Sequence, residues 1–159
     1  MDGPLDLAAV AREVIDANLY MALGTTYEDG RPWVTPVYYA PEDYRRFCWV
    51  SSPEAAHSRN LANRPQMSIV VFNSQVPIGM GQGVYMSGAA EELGGVDLER
   101  SLEVFSRRSL AHGGRSWSPI DVLAPALYRL YRATATMHWV LDPNGHPDRR
   151  AQVILTDGA

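Results

Sequence analysis

Apolar residues recur at helical spacing at the start of the chain and then switch to a two-residue rhythm. Leu7, Val10, Val14 and Ile15 share one face of a segment at about 5–18, with charges between them. That period predicts an amphipathic helix, and Asp6 is placed to cap it. The next run, 19–26, is too short for a helix and breaks at Glu28-Asp29-Gly30. An Asp-Gly pair between two β-prone runs predicts a hairpin. Its second arm, 31–40, is rich in Trp, Val, Thr and Tyr. Prolines at 32 and 36 put that arm at an edge or a bulge, because proline donates no N–H to a ladder. A turn at Pro41-Glu42-Asp43 then leads into a third run at 46–51.

The rhythm changes at Ser51-Ser52-Pro53-Glu54. Serine at the cap, proline in the first turn and an early acid predict a helix start. This helix runs to about residue 62 and stops before Pro65. Strands resume at 67–72 and 83–93, joined by a glycine-rich stretch at 77–83. A second long helix begins at Asp97, with Leu98, Leu102, Phe105 and Leu110 on its apolar side, and a short one follows near 119–124. Together they form a helical insertion at 97–125. The last β segments, 127–141 and 151–155, are joined by a turn at Asp142-Pro143-Asn144-Gly145. With no repeat and no dividing linker, residues 1–159 read as one domain. About six to seven mostly antiparallel strands with peripheral helices predict a mainly β fold, a barrel, since closure removes exposed edges.

Composition narrows the function by exclusion. A net charge of −4 argues against a nucleic-acid binder, which carries a basic face. No apolar run approaches the roughly 20 residues of a membrane helix, and the acidic start has no signal-peptide core. A soluble, cytoplasmic protein without a membrane partner is expected. Cys48 is the only cysteine, which excludes an intrachain disulfide and a cysteine-based zinc site. Among Phe47, Trp49 and Val50 it reads as a buried, inert thiol. Every basic residue is arginine. Lysine Schiff-base chemistry is therefore excluded, and a phosphate held by a cationic side chain must use Arg or His.

The segment that carries chemistry is 47–60, where an apolar strand delivers the chain to Ser51, Ser52 and a helix. Free amides at a helix start, with the helix dipole, suit a phosphate. Helical side chains lean toward the N-terminus, so His57 and Ser58 are placed to reach back over the first turn. The same residues also read as a plain serine cap with nothing bound. No metal site is indicated, and no side chain stands out as a required acid or base.

The ordered series Gly-Arg-Pro-Trp-Val-Thr-Pro-Val-Tyr-Tyr, turn, Phe-Cys-Trp-Val-Ser-Ser, then His-Ser-Arg-Asn-Leu and Arg-Pro before a valine-rich strand resembles the pyridoxamine 5′-phosphate oxidase-like split barrels. Residues 81–93, ending Ala-Glu-Glu-Leu, are similar to a later strand of that family. The resemblance spans roughly residues 13–93, with a looser echo at 139–153. It implies a split β-barrel of the FMN-binding type, forming a homodimer with FMN at the subunit interface. It also implies oxidoreductase activity on a small organic substrate. Carried over by position, Thr35, Pro36 and Val37 would face the isoalloxazine. Val50, Ser51 and Ser52 would follow the ribityl chain and phosphate. His57 and Ser58 would stand at the phosphate, where the family usually has Arg-Lys and this chain has Ala56-His57. That departure implies weak FMN binding or another cofactor. Gln82 matches the family's flavin-contacting glutamine. Trp139 and Arg149 or Arg150 match the tryptophan and arginine that reach across from the partner. The substrate-binding Arg-x-His of the vitamin B6 oxidases is not evident.

Three alternatives stand beside the FMN enzyme. One is an F420-binding reductase, whose acidic cofactor tail would suit Arg59, Arg107 and Arg108. Another is a non-enzymatic flavin or haem binder, for which His57, His112, His138 and His146 offer axial candidates. The third is a dimeric barrel without a cofactor.

Overall fold

The computed structural model describes residues 3–145 and 147–155. His146, one of the haem candidates, lies outside them. The first helix, α1 (Leu7–Ala17), is capped by Asp6, whose carboxylate accepts from the Ala8 and Ala9 amides. Strands β1 (Tyr20–Thr26) and β2 (Pro32–Tyr38) form the expected hairpin. Gly30 takes φ +92 in its turn, a left-handed conformation that costs glycine little.

Next come β3 (Ala40–Asp43), β4 (Arg46–Ser51), α2 (Ala56–Asn63), β5 (Gln66–Phe72) and β6 (Gly83–Glu92). Helix α3 (Gly95–Ala111), a single 3-10 turn at Pro119–Asp121, β7 (Arg129–Leu141) and β8 (Arg150–Val153) complete the described chain. The short strand β3 occupies the place expected to turn. Residues 41–43 are good turn formers, but the pairs Ala40↔Cys48 and Pro41↔Phe47 draw them into the ladder. The reversal falls just after, at Tyr44 and Arg45.

The strands form one antiparallel sheet in the order β2-β1-β5-β6-β7-β4-β3, with β8 added to β7. Its first and last strands, β2 and β3, are separated in the chain only by Tyr39. The sheet therefore curls until its two edges are one continuous stretch of backbone. This is the mainly β split barrel expected, with β3 added to the strand count. Proline-bearing β2 is an edge strand, as its sequence requires.

Two apolar clusters fill the molecule. Met21, Leu23, Val37, Phe47, Trp49, Ile69, Val84 and Tyr131 pack inside the barrel, joined by Ala11 and Ile15 of α1. Leu98, Leu102 and Phe105 of α3 cover the other face of β3 and β4, against Ala40, Cys48 and Leu130. Leu110, expected on that apolar side, is exposed near the end of α3. Among the described residues no helix is long and apolar enough to cross a membrane.

Candidate functional site

The site forms where β4 hands the chain to α2. On one side β7 holds this end of β4 through Val50↔Leu130 and Ser51↔Arg129. On the other side β3 reaches only as far as Ala40↔Cys48. The outer edge of Trp49, Val50 and Ser51 thus faces β2, whose own outer edge has no strand partner among the described residues. The two strands touch without forming a ladder. This gap is the split in the barrel, and unpaired backbone donors and acceptors line it.

Of the β2 residues, Val37 turns its side chain into the core. It offers the split only backbone. Pro36 is exposed and Thr35 half-buried. At the end of β4, Val50 is half-buried and Ser51 buried.

Neither serine caps α2, contrary to the expected helix start. Ser51 completes β4, and Ser52 opens a turn: its hydroxyl accepts from the Glu54 amide (3.1 Å), its carbonyl from the Ala55 amide (3.2 Å). Serine satisfies local amides this way in competition with a helix cap. The helix begins four residues later behind Ala55, which offers no capping side chain. Its first-turn amides are left without a side-chain acceptor.

His57 does reach back, and its Nε2 lies 2.8 Å from Ser51 Oγ, both side chains being buried. Burial pushes its pKa below the ordinary histidine value, which favours the neutral ring. Ser58 is buried, and its hydroxyl has no hydrogen-bond partner among the described residues. The nearby Tyr131 hydroxyl does not meet it in hydrogen-bonding geometry. Asn60 donates to Thr25 Oγ1 (3.0 Å), tying α2 to β1. That buried pair escaped the sequence reading; an asparagine in the middle of a short helix, facing the same way as His57, was its only signal.

Arg59 is exposed and paired with Glu54. Arg129, opposite Ser51 in the ladder, donates to the Ala126 and Tyr128 carbonyls (2.6 Å each). The corner therefore offers amides, hydroxyls and a neutral imidazole.

Trp139 and Arg150 lie elsewhere. Leu130, beside Val50, and Trp139 are nine residues apart on β7, about 30 Å at ~3.3 Å per residue. One protomer does not bring Ser51 and His57 together with Trp139 and Arg150. The latter pair lines a groove of about 590 Å³ on the outer face of the sheet, floored by Ala22, Gly24, Ser68 and Ser87. The Arg150 guanidinium lies 4.3 Å from the centre of the Tyr85 ring, while Arg149 turns away to Asp142. Small residues at outward, alternate positions of β1, β5 and β6 were the legible sign of this groove.

Gln82 is not free for a ligand. Its Oε1 accepts from the Gly83 and Leu141 amides (2.8 Å each), and its Nε2 donates to the Leu141 carbonyl (3.0 Å). The carboxamide acts as an extra peptide group at the end of the β6–β7 ladder.

The described histidines all have partners. Besides His57, His112 Nδ1 meets the Tyr38 hydroxyl (2.9 Å) and buried His138 meets the Tyr44 carbonyl (2.7 Å). The arginines considered for an acidic tail are likewise engaged: Arg107 with Glu103, and Arg108 with the Asn18 carbonyl. Cys48 is buried, its thiol pKa pushed far up by burial. No metal-binding group of His, Cys, Asp or Glu occurs among the described residues.

A split barrel with a helix start beside its gap defines a class, and comparison assigns the family. The family model described as pyridoxamine 5′-phosphate oxidase matches residues 7–124. The chain belongs to that family. None of the curated proteins matches it.

Among solved structures, the heme-binding protein from Mycobacterium smegmatis is similar, with TM-score 0.75 and 19% identity over 96% of this chain. This chain spans 59% of that protein's length. HutZ, the heme storage protein from Vibrio cholerae, gives TM-score 0.64 and 18% identity, covering 82% of this chain and 91% of that one. A Clostridium acetobutylicum protein related to general stress protein 26 of B. subtilis gives 0.65 and 14%, covering 94% and 96%. At these identities the likeness is one of fold.

The corner fits the phosphate of a flavin mononucleotide in its hydrogen-bonding chemistry. The uncapped amides of α2 and the orphaned Ser58 hydroxyl are donors without an acceptor among the described residues, and the Ser51 hydroxyl, shared with His57 Nε2, is the third donor the corner can turn to a phosphate. What it lacks is the fixed positive charge that Arg-Lys would supply.

Proposed function

We propose that this chain is an FMN-dependent oxidoreductase acting on a small organic substrate, working as a homodimer with the cofactor at the subunit interface. The observation that carries this reading is the split between β2 and β4, closed at its base by Ser51, His57 and the uncapped start of α2. The amides of α2 with the hydroxyls of Ser51 and Ser58 would hold the phosphate, and the backbone of β2 from Thr35 to Val37 would lie along the ring. Bound FMN supplies hydride transfer; the protein's part is to bind it, orient it and exclude water. The separation of this corner from Trp139 and Arg150 along β7 supports a second copy, which would bring its own groove to the cofactor. Neutral donors form weaker phosphate contacts than charged ones, so FMN affinity is expected to be modest.

Haem binding is a second reading. It draws on the fold shared with the Mycobacterium smegmatis and Vibrio cholerae proteins. Among the described histidines His112 suits it best, being exposed with Nε2 open while Nδ1 meets the Tyr38 hydroxyl, the arrangement in which a metal-bound histidine usually holds its second nitrogen.

Titration of cofactor-free protein with FMN, F420 and hemin, read by thermal shift, separates the readings, because a ligand that binds only the native state raises its melting point. FMN is expected to raise it and to lose fluorescence on binding. NAD(P)H is then expected to reduce the bound flavin, and an added acceptor to reoxidise it. A shift with hemin alone would replace the flavin reading by the haem one. A shift with F420 alone would move the assignment to deazaflavin, and no shift with any of the three would leave a barrel without a cofactor.

A further inference from the structure

At the phosphate corner Arg59 is paired with Glu54 and Arg129 is turned to two carbonyls, while buried His57 is the group there able to gain a charge. We propose that His57 makes FMN binding proton-linked: the protein takes up a proton as the phosphate enters, and affinity rises as pH falls toward 6. This inference rests on the flavin reading above.

The geometry is specific. His57 is the second residue of α2 and its Nε2 is 2.8 Å from Ser51 Oγ. Its charged and titratable surroundings can be named element by element. On α2 and the turn before it, Arg59 is paired with Glu54 in the open. On β7, Arg129 is bonded to two carbonyls, and Tyr131 is a neutral phenol held protonated by burial. On β6, Glu92 faces Tyr131 and is exposed. On β1 the polar group tied to α2 is uncharged Thr25, bonded to Asn60, and β2, which also packs against α2, carries no charged side chain and Tyr38 as its one titratable one. Among the described residues no carboxylate is hydrogen-bonded to the imidazole, and the hydroxyl of Ser51 is its partner.

In the empty protein burial disfavours the imidazolium, so the ring is neutral at neutral pH. A phosphate brings a charge of about −1.5 to −2 to the other side of Ser51. That charge favours the imidazolium and raises the His57 pKa. Protonated Nε2 then donates to Ser51 Oγ, whose own proton is released to donate to a phosphate oxygen. A ligand that raises a group's pKa binds more tightly where that group is protonated. Affinity therefore climbs with falling pH, between the raised pKa of the complex and the lowered pKa of the free protein. One linked proton gives at most about tenfold per pH unit. Below about pH 6 the phosphate takes its own second proton, and the gain levels off. A lysine or arginine at position 57 would give a charge that does not vary over this range.

The test is calorimetric titration of the full chain with FMN at pH 6.5, 7.5 and 8.5. Each titration is repeated in two buffers of different ionisation heat, so that proton uptake is read directly. Riboflavin, which lacks the phosphate, serves as the control ligand. For the wild type, Kd for FMN is expected to fall about tenfold from pH 8.5 to 6.5, with net proton uptake near pH 7.5. Riboflavin is expected to show neither effect. His57→Gln is expected to bind FMN weakly with no pH slope, and His57→Lys tightly with none. A flat wild-type profile without proton uptake overturns the proposal, as does an undiminished slope in His57→Gln. Should His57→Gln fail to fold, the wild-type proton count and the riboflavin control still decide. Absence of FMN binding by wild type and His57→Lys at every pH would instead sink the flavin reading itself.

Discussion

Gly88 sits where β6 shifts register against β7, and the chain leaves no room there for a side chain. A Cβ at this position would lie 2.0 Å from the Thr134 carbonyl oxygen and 2.9 Å from its carbon. Backbone cannot swing aside as a flexible side chain can. Gly88→Ala is expected to destabilise the protein by about 1–3 kcal/mol, the usual cost of overpacking. A urea midpoint that falls while the slope stays constant would show it. At this scale the sequence was legible at Cys48, which among aromatic and branched neighbours is the fully buried thiol expected, and less so at the end of α3, where Leu110 is exposed. It was illegible wherever a side chain bonds to distant backbone. Nothing near Gln82 announces that its carboxamide will pair with Leu141, fifty-nine positions away. Ser52, too, chose the amide two residues on over a helix cap.

Among the elements, α1 shows how a local signal becomes tertiary structure. Asp6 accepts two first-turn amides, and the helix it starts buries Ala11 and Ile15 in the barrel. Asp6→Ala is expected to cost about 1 kcal/mol, as removal of an aspartate cap typically does. Thermal melts at neutral pH would reveal the loss, and Asp6→Asn, which keeps the accepting oxygen, should largely spare stability. Periodicity and turn chemistry made α1, the β1–β2 hairpin, β5 and β6 readable. They failed at β3, because Pro41, Glu42 and Asp43 have turn propensity and it is the pairing with Phe47, on the next strand, that holds Pro41 extended. The start of α2 was misplaced by the same logic: a proline and an acid mark a turn as well as a first helical turn.

For the molecule as a whole, two buried histidines among the described residues shape the response to mild acid. His57 and His138 both have pKa values lowered chiefly by burial from an ordinary 6.5. Each binds fewer protons folded than unfolded. Their contribution to stability is complete above about pH 6.5 and is lost as pH falls from there toward the folded values. The cofactor-free protein is therefore expected to melt at progressively lower temperature from pH 7 to 5. The decline should be shallower in His138→Gln, if that variant folds. A melting point independent of pH across that window would contradict the burial of these rings.

The barrel itself was legible from the count and rhythm of the strands. Its manner of closure was not, since no local pattern says that the first and last strands are chain neighbours. That closure makes Tyr39 the one-residue link between β2 and β3, at the end of the cleft where β2 parts from β4. The link is clamped: its ring is fully buried, its hydroxyl donates to the Ile15 carbonyl (2.5 Å) and its amide to the Leu19 carbonyl (3.2 Å). The start of the cleft is thus tied to the amino-terminal helix and the residues just after it, so that loosening α1 is expected to reach the proposed site through Tyr39.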